Sequence, residues 1–159
     1  VKILFVCTGN VCRSPMAEAI ARRLLDARGL QGVGVASAGT AAWDGAPASE
    51  GAYLITLEHG LDLSAHRARQ ITSDHVAEAD LILGMSPHHV ERALALGGRD
   101  KSFMLGEYAG QPAATAQVED PFGGDLEEYR RTYERLEQLL AAAVERLADP
   151  HRDANPGHD

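Results

Sequence analysis

The sequence predicts an α/β fold built on a parallel sheet, and three observations carry that expectation. Short apolar runs recur along the chain, each bounded by turn residues and each followed by a stretch of helical period. The first run is almost unbroken, as suits a strand covered on both faces. Strands that alternate with helices favour parallel pairing, with the helices as crossovers. In such sheets a ligand sits beyond the carboxyl ends of the strands, so the loop after the first strand is the place to look for chemistry.

The elements follow in order. Val1 to Cys7 reads as a buried strand through Val1, Ile3, Leu4, Phe5 and Val6. TGNVCRS is a tight loop, and Pro15 stands where a helix opens. Met16, Ile20 and Leu24, widened by Ala17, Ala21 and Leu25, form its apolar stripe, and Gly29 ends it. Val33 to Ser37 is a second strand and SAGTAAWDGAP a loop. Pro47 to His59 is a second helix stopped by Gly60. A short helix follows Ser73, Asp80 to Met85 is a third strand, Pro87 to about Leu96 a helix, and Ser102 to Leu105 a short fourth strand. Glu107 to Gly124 is mostly loop. Asp125 caps the longest helix, with Glu128 completing a capping box. Leu126, Tyr129, Tyr133, Leu136, Leu140, Val144 and Leu147 mark the buried face of that helix. Residues 1–148 make one domain, and 149–159, polar with Pro and His, form a loose tail.

Composition narrows the function. The chain has 159 residues, 45% of them hydrophobic, enough for one domain with a full core. Its formal net charge of -8 argues against nucleic acid and anionic membrane surfaces as partners. No apolar run reaches membrane-spanning length, and VKILFVC is too short for a signal-peptide core. Two cysteines are too few for a disulfide scaffold, which points to a cytoplasmic protein with reduced thiols. The seven histidines are scattered without a metal-binding spacing. His88 and His89 are expected to point apart on a helix, and His59 and His75 to be exposed. Glu127 and Arg131 read as an i, i+4 pair on a solvated face.

The chemistry concentrates in CTGNVCRS, where Cys7 ends the first strand and Arg13 follows six residues later. A loop feeding a helix in this way turns backbone N–H groups onto one point, and the helix N-terminus adds positive potential. That is a cradle for a dianion, and the same field stabilises a thiolate on Cys7. Arg13 offers a planar fork to two phosphate oxygens. Gly9 lets the backbone approach the ligand, Asn10 tolerates a left-handed conformation, and Ser14 is placed to donate to the Cys7 sulfur. Cys12 is open to two readings: a small apolar residue, or a partner that traps oxidised Cys7 as a disulfide. A phosphatase also needs a proton donor for the leaving group. Asp120 in EDPFGGD is the candidate, with Glu119 the alternative and Phe122 an aromatic wall beside it.

CTGNVCRSPMAEAI, SAGT with a following Trp, HRARQIT, ADLILGM and DPFGGDLEEY, in that order, resemble the low-molecular-weight protein tyrosine phosphatase family of bacterial type. The resemblance covers about Val1 to Leu147. It implies a three-layer sandwich with a central four-stranded parallel sheet flanked by helices, a phosphocysteine intermediate, and neither metal nor cofactor. It implies Cys7 as nucleophile, Arg13 as phosphate-binding arginine and Asp120 as general acid. Thr8, Gly9, Asn10, Val11, Cys12, Arg13 and Ser14 would line the phosphate. Asn10, Ser14, Ser37 and His66 would brace the loop, Cys12 would be the cysteine able to pair with Cys7, and Val11, Trp43 and Phe122 would border the substrate slot. The expected partner is a phosphorylated protein or peptide and the expected state a monomer.

Phosphotyrosine is the first expectation for the substrate. Phosphoarginine is the alternative, because the arginine-directed bacterial branch resembles this chain in DPFGGDLEEY and has a threonine where Val11 stands. An arsenate reductase of the same fold would need further cysteines as a disulfide relay.

Overall fold

The computed structural model describes residues 1–149. Four strands, β1 (Lys2–Cys7), β2 (Gly34–Gly39), β3 (Leu81–Gly84) and β4 (Ser102–Met104), form one parallel sheet in the order β2-β1-β3-β4. β1 is central: Phe5 pairs with Ser37 on one side and Leu83 on the other. The helices are α1 (Arg13–Ala27), α2 (Glu50–Glu58), α3 (Ser73–Glu78), α4 (Pro87–Ala95), α5 (Leu105–Tyr108) and α6 (Leu126–Ala148).

The two-residue period of β1 divides the core. Ile3, Phe5 and Cys7 pack with Met16, Ile20, Tyr133, Leu136 and Leu140 from α1 and α6. Leu4 and Val6 pack with Ile71, Val76, Ala79 and Ala93 around α3 and α4. Each large side chain buried in this way contributes about 1.5–3 kcal/mol. The expected layered α/β sandwich is therefore present, with helices on both faces of a four-stranded parallel sheet. The chain leaves β1 for β2 on one side and later crosses to β3 on the other. The carboxyl ends of β1 and β3 thus flank a topological switch point, where such sheets open a crevice.

Several expectations shift at the boundaries. α1 starts at Arg13, not at Pro15, so Pro15 falls inside its first turn, where the missing N–H costs nothing. α2 starts at Glu50 because Ser49, in an extended conformation, caps it by accepting from the Ala52 N–H at 3.4 Å. The 105–108 segment is one helical turn after β4, not strand or loop. The Asp125–Glu128 capping box is present. Leu126, however, is 44% exposed, because it stands at the first helical position before the apolar face turns inward. Thr132, Leu139 and Ala143 join that face instead. Arg130, not Arg131, pairs with Glu127, at 2.6 Å. His59 and His75 are half-buried, not exposed: His59 stacks on Tyr133, and His75 belongs to the N-terminal capping box of α3. The expected loose tail, apart from Asp149, lies outside the described residues. No helix among the described residues is long and apolar enough to cross a membrane.

Candidate active site

Cys7 to Arg13 wraps around the C-terminal end of β1, and neighbouring elements hold its carbonyls from outside. The Cys7 and Thr8 carbonyls accept from Thr40 N–H and Ala41 N–H at 2.9 Å, the Val11 carbonyl from Ser49 N–H at 2.9 Å, and the Asn10 carbonyl from His66 Nε2 at 2.7 Å. In a trans peptide the N–H points opposite to the C=O. Carbonyls tied outward therefore turn the following N–H groups toward the middle of the loop, as an anion cradle requires. β2 lies so close that a Cβ on Gly39 would meet the Thr8 carbonyl oxygen at 2.4 Å, which only glycine avoids.

Asn10 sets the curvature. Its φ of 57° is left-handed, and its side chain is fully buried and fully used. Nδ2 donates to Ser14 Oγ at 2.8 Å and to Ser37 Oγ at 3.0 Å, while Oδ1 accepts from the Arg69 N–H at 2.9 Å. Ser14 Oγ, already accepting from Asn10, lies 2.9 Å from Cys7 Sγ, so its hydrogen is free to point at the sulfur. Ser37 Oγ passes its own hydrogen to Glu18 at 2.7 Å. Ser37, His66, Asn10 and Ser14 thus all bear on the loop, and Arg69 and Glu18 extend the network beyond the residues picked from sequence.

A cavity of about 230 Å³ opens above Cys7, lined by Thr8, Gly9, Val11, Cys12, Arg13, Asp120 and Phe122. Arg13 is buried. Its Nη1 donates to the Val118 carbonyl at 3.0 Å, and its Nη2 lies 3.6 Å from Asp120 Oδ2. Its Nε is buried with no partner among the described residues, a donor left for an anion in the cradle. Asp120 is half-exposed and takes the Phe122 N–H on Oδ1 at 3.1 Å, a turn that holds the carboxylate at the cavity edge. Glu119 lines a separate cleft of about 330 Å³ on the far side of that loop. Trp43 is 85% exposed and does not line the cavity, whereas Phe122 does. No group of three or more His, Cys, Asp or Glu side chains among the described residues is placed to hold a metal ion.

Both cysteines are free. Cys12 Sγ sits 3.1 Å from Ser49 Oγ and 3.4 Å from the Tyr129 hydroxyl, and burial pushes its thiol up. Burial likewise raises Tyr129 to about 12. Sequence reasoning treats Tyr129 as packing alone and misses this contact, because the two residues lie 117 positions apart. It also misses His89. The rings of His88 and His89 do not point apart: their centroids are 4.0 Å apart, and His89 is completely buried against the phosphate loop. Its Nε2 is 2.9 Å from Thr8 Oγ1. The available signal was Ser-Pro followed by His at the third helical position, directly after β3 at the switch point.

A buried cysteine in an anion-binding loop, an arginine at its end and an aspartate across the cavity define a cysteine-dependent phosphatase site. Residues 2–152 match the family of low molecular weight phosphotyrosine protein phosphatases, and the chain belongs to it. It is 38% identical to a protein-arginine-phosphatase of Geobacillus stearothermophilus, over 92% of this chain and 95% of that one. It is 36% identical to a probable low molecular weight protein-tyrosine-phosphatase, EpsP, of Ralstonia nicotianae, over 91% and 94%. Among solved structures it superposes with a TM-score of 0.87, at 36% identity over 96% of this chain and 99% of the other, on a cysteine-to-serine variant of the YwlE arginine phosphatase whose active-site serine is phosphorylated.

Proposed function

We propose that this chain is a protein-arginine phosphatase. The observation that carries the reading is Val11 at the cavity wall, a short branched side chain with the outline of threonine. A longer aliphatic residue there would narrow the slot above Cys7. The likeness to arginine phosphatases supports the same reading and weighs against the first expectation, phosphotyrosine.

The chemistry uses groups already in place. The Cys7 thiolate attacks phosphorus, an S–P bond forms and the P–N bond breaks. Its electron pair stays on the departing guanidino nitrogen, which takes a proton from Asp120. Water then attacks phosphorus, Asp120 takes up its proton, the S–P bond breaks and phosphate leaves with Cys7 restored as thiolate. Arg13 and the loop N–H groups hold the phosphoryl oxygens throughout, where preorganised donors are worth most. A guanidino group also brings N–H donors of its own toward the unprotonated oxygen of the Asp120 carboxyl group.

Phosphotyrosine is the second reading, favoured by Phe122, an aromatic ring on the cavity wall suited to a flat substrate. Matched phosphoarginine and phosphotyrosine peptides separate the two, with Cys7→Ser as the inactive blank. The expected result is a kcat/KM ratio favouring phosphoarginine, and a shift of about tenfold toward phosphotyrosine in Val11→Ile, the effect of one methylene in a tight pocket. A ratio favouring phosphotyrosine that Val11→Ile leaves unchanged would overturn the arginine reading.

A further inference from the structure

We propose that His89 is a positioning residue that holds the Thr8 hydroxyl as a hydrogen-bond donor aimed into the phosphate cavity. Thr8 follows the nucleophile directly and lines the same cavity. The inference rests on reading the Cys7 loop as a phosphoryl site and adds a donor to it.

The hydrogen-bond directions can be worked out from groups whose roles are fixed. The Ser86 backbone N–H donates to His89 Nδ1 at 3.1 Å, so Nδ1 is an acceptor. Ser86 Oγ reaches the same nitrogen at 3.0 Å. The ring hydrogen is therefore on Nε2, which donates to Thr8 Oγ1 at 2.9 Å. A second donor, Arg13 Nη2, approaches the same oxygen at 3.5 Å. A hydroxyl has two lone pairs and one hydrogen. With both lone pairs engaged, Thr8 can act only through its hydrogen, and the space left to it is the cavity shared with Cys7.

The supporting frame is rigid. Ser86 and Pro87 open α4, and His89 closes its capping box at the third position. Gly84, at the end of β3, leaves room for the ring: a Cβ there would come within 3.0 Å of His89 Cβ. Burial first, then His88 and Arg13, push His89 down to about 3, so the ring stays neutral and its tautomer does not switch at ordinary pH. Nothing in the nucleophile–arginine–acid mechanism otherwise requires a buried neutral histidine 81 residues from the loop it touches.

A double-mutant cycle on an aryl phosphate tests this. Thr8→Val and His89→Leu should each lower kcat/KM by about three- to tenfold, the range for one hydrogen bond. The double variant should be no worse than Thr8→Val alone. His89→Gln, whose amide can accept from Ser86 and donate to Thr8, should recover most of the loss. If leucine disturbs the fold, His89→Asn, too short to reach Thr8, replaces it in the cycle with the same expectation. Nitrogen NMR should show a single Nε2-protonated ring from pH 5 to 8. Losses that multiply in the double variant, no rescue by glutamine, or a lower Tm with unchanged kcat/KM would overturn the positioning role. Retained turnover in Cys7→Ser would instead remove the phosphoryl reading beneath it.

Discussion

Asn10 carries more of the site than its place in the loop suggests. One side chain joins α1 through Ser14, β2 through Ser37 and the 66–69 segment through Arg69, and its backbone carbonyl takes His66. Removing it strands buried partners and leaves an ordinary residue in a left-handed conformation, each a separate cost. Asn10→Ala should lower stability by about 2–4 kcal/mol, read by urea denaturation. It should also weaken competitive inhibition by inorganic phosphate, which a loss confined to a distant surface would leave intact. The loop residues were legible in sequence because glycine, asparagine, arginine and Ser-Pro at fixed spacing each answer one requirement of an anion cradle. Trp43 was not, since an exposed aromatic in a loop has no periodicity to place it. His89 and Tyr129 were not either, because their contacts depend on strand order and helix rotation that no local spacing encodes.

At the level of elements, the sequence located every strand and long helix and erred at their ends. The errors at the starts of α1 and α2 share a cause: proline marks a turn, but the hydrogen bonds of the flanking residues decide where regular geometry begins. α2 shows this, for Ser49 and not Pro47 caps it. The same segment shows how tightly elements meet, since a Cβ on Gly51 would come within 2.5 Å of the Tyr129 ring. That ring fixes the hydroxyl beside Cys12. Gly51→Ala should therefore displace α2 from α6 and cost about 1–3 kcal/mol, as overpacking does. It should also speed alkylation of Cys12, measured by mass spectrometry with the enzyme's own Cys7 blocked by phosphate. An unchanged Tm and alkylation rate would show that the contact yields freely.

For the molecule as a whole, the sheet gathers its chemistry at the carboxyl ends of its two inner strands and spreads its apolar contacts over two faces. The crevice between β1 and β3 holds His89, neutral in the fold and free to take a proton once unfolded. Its folded pKa lies below the unfolded value of about 6.5. Its contribution to stability is thus complete above that value and is lost as pH falls toward 3. His75, lowered mainly by burial, acts in the same direction. The urea midpoint should fall between pH 7 and pH 5, with about 2 kcal/mol traceable to His89. The fall should be shallower in His89→Gln, and an identical slope would assign it to other groups.

The loop's fastenings also bear on how the protein is made. Cys7 leaves the ribosome well before the groups that shape its loop: Ser37 is 27 positions beyond Asn10, His66 is 56, Arg69 is 59, and the Val118 carbonyl that anchors Arg13 is 105 beyond it. Until those segments dock, the nascent chain carries an ordinary thiol with no cradle around it. The reactive centre is assembled only once the Val118 segment has been made, so a nascent chain that stops short of it lacks the anchor that aims Arg13 at phosphate.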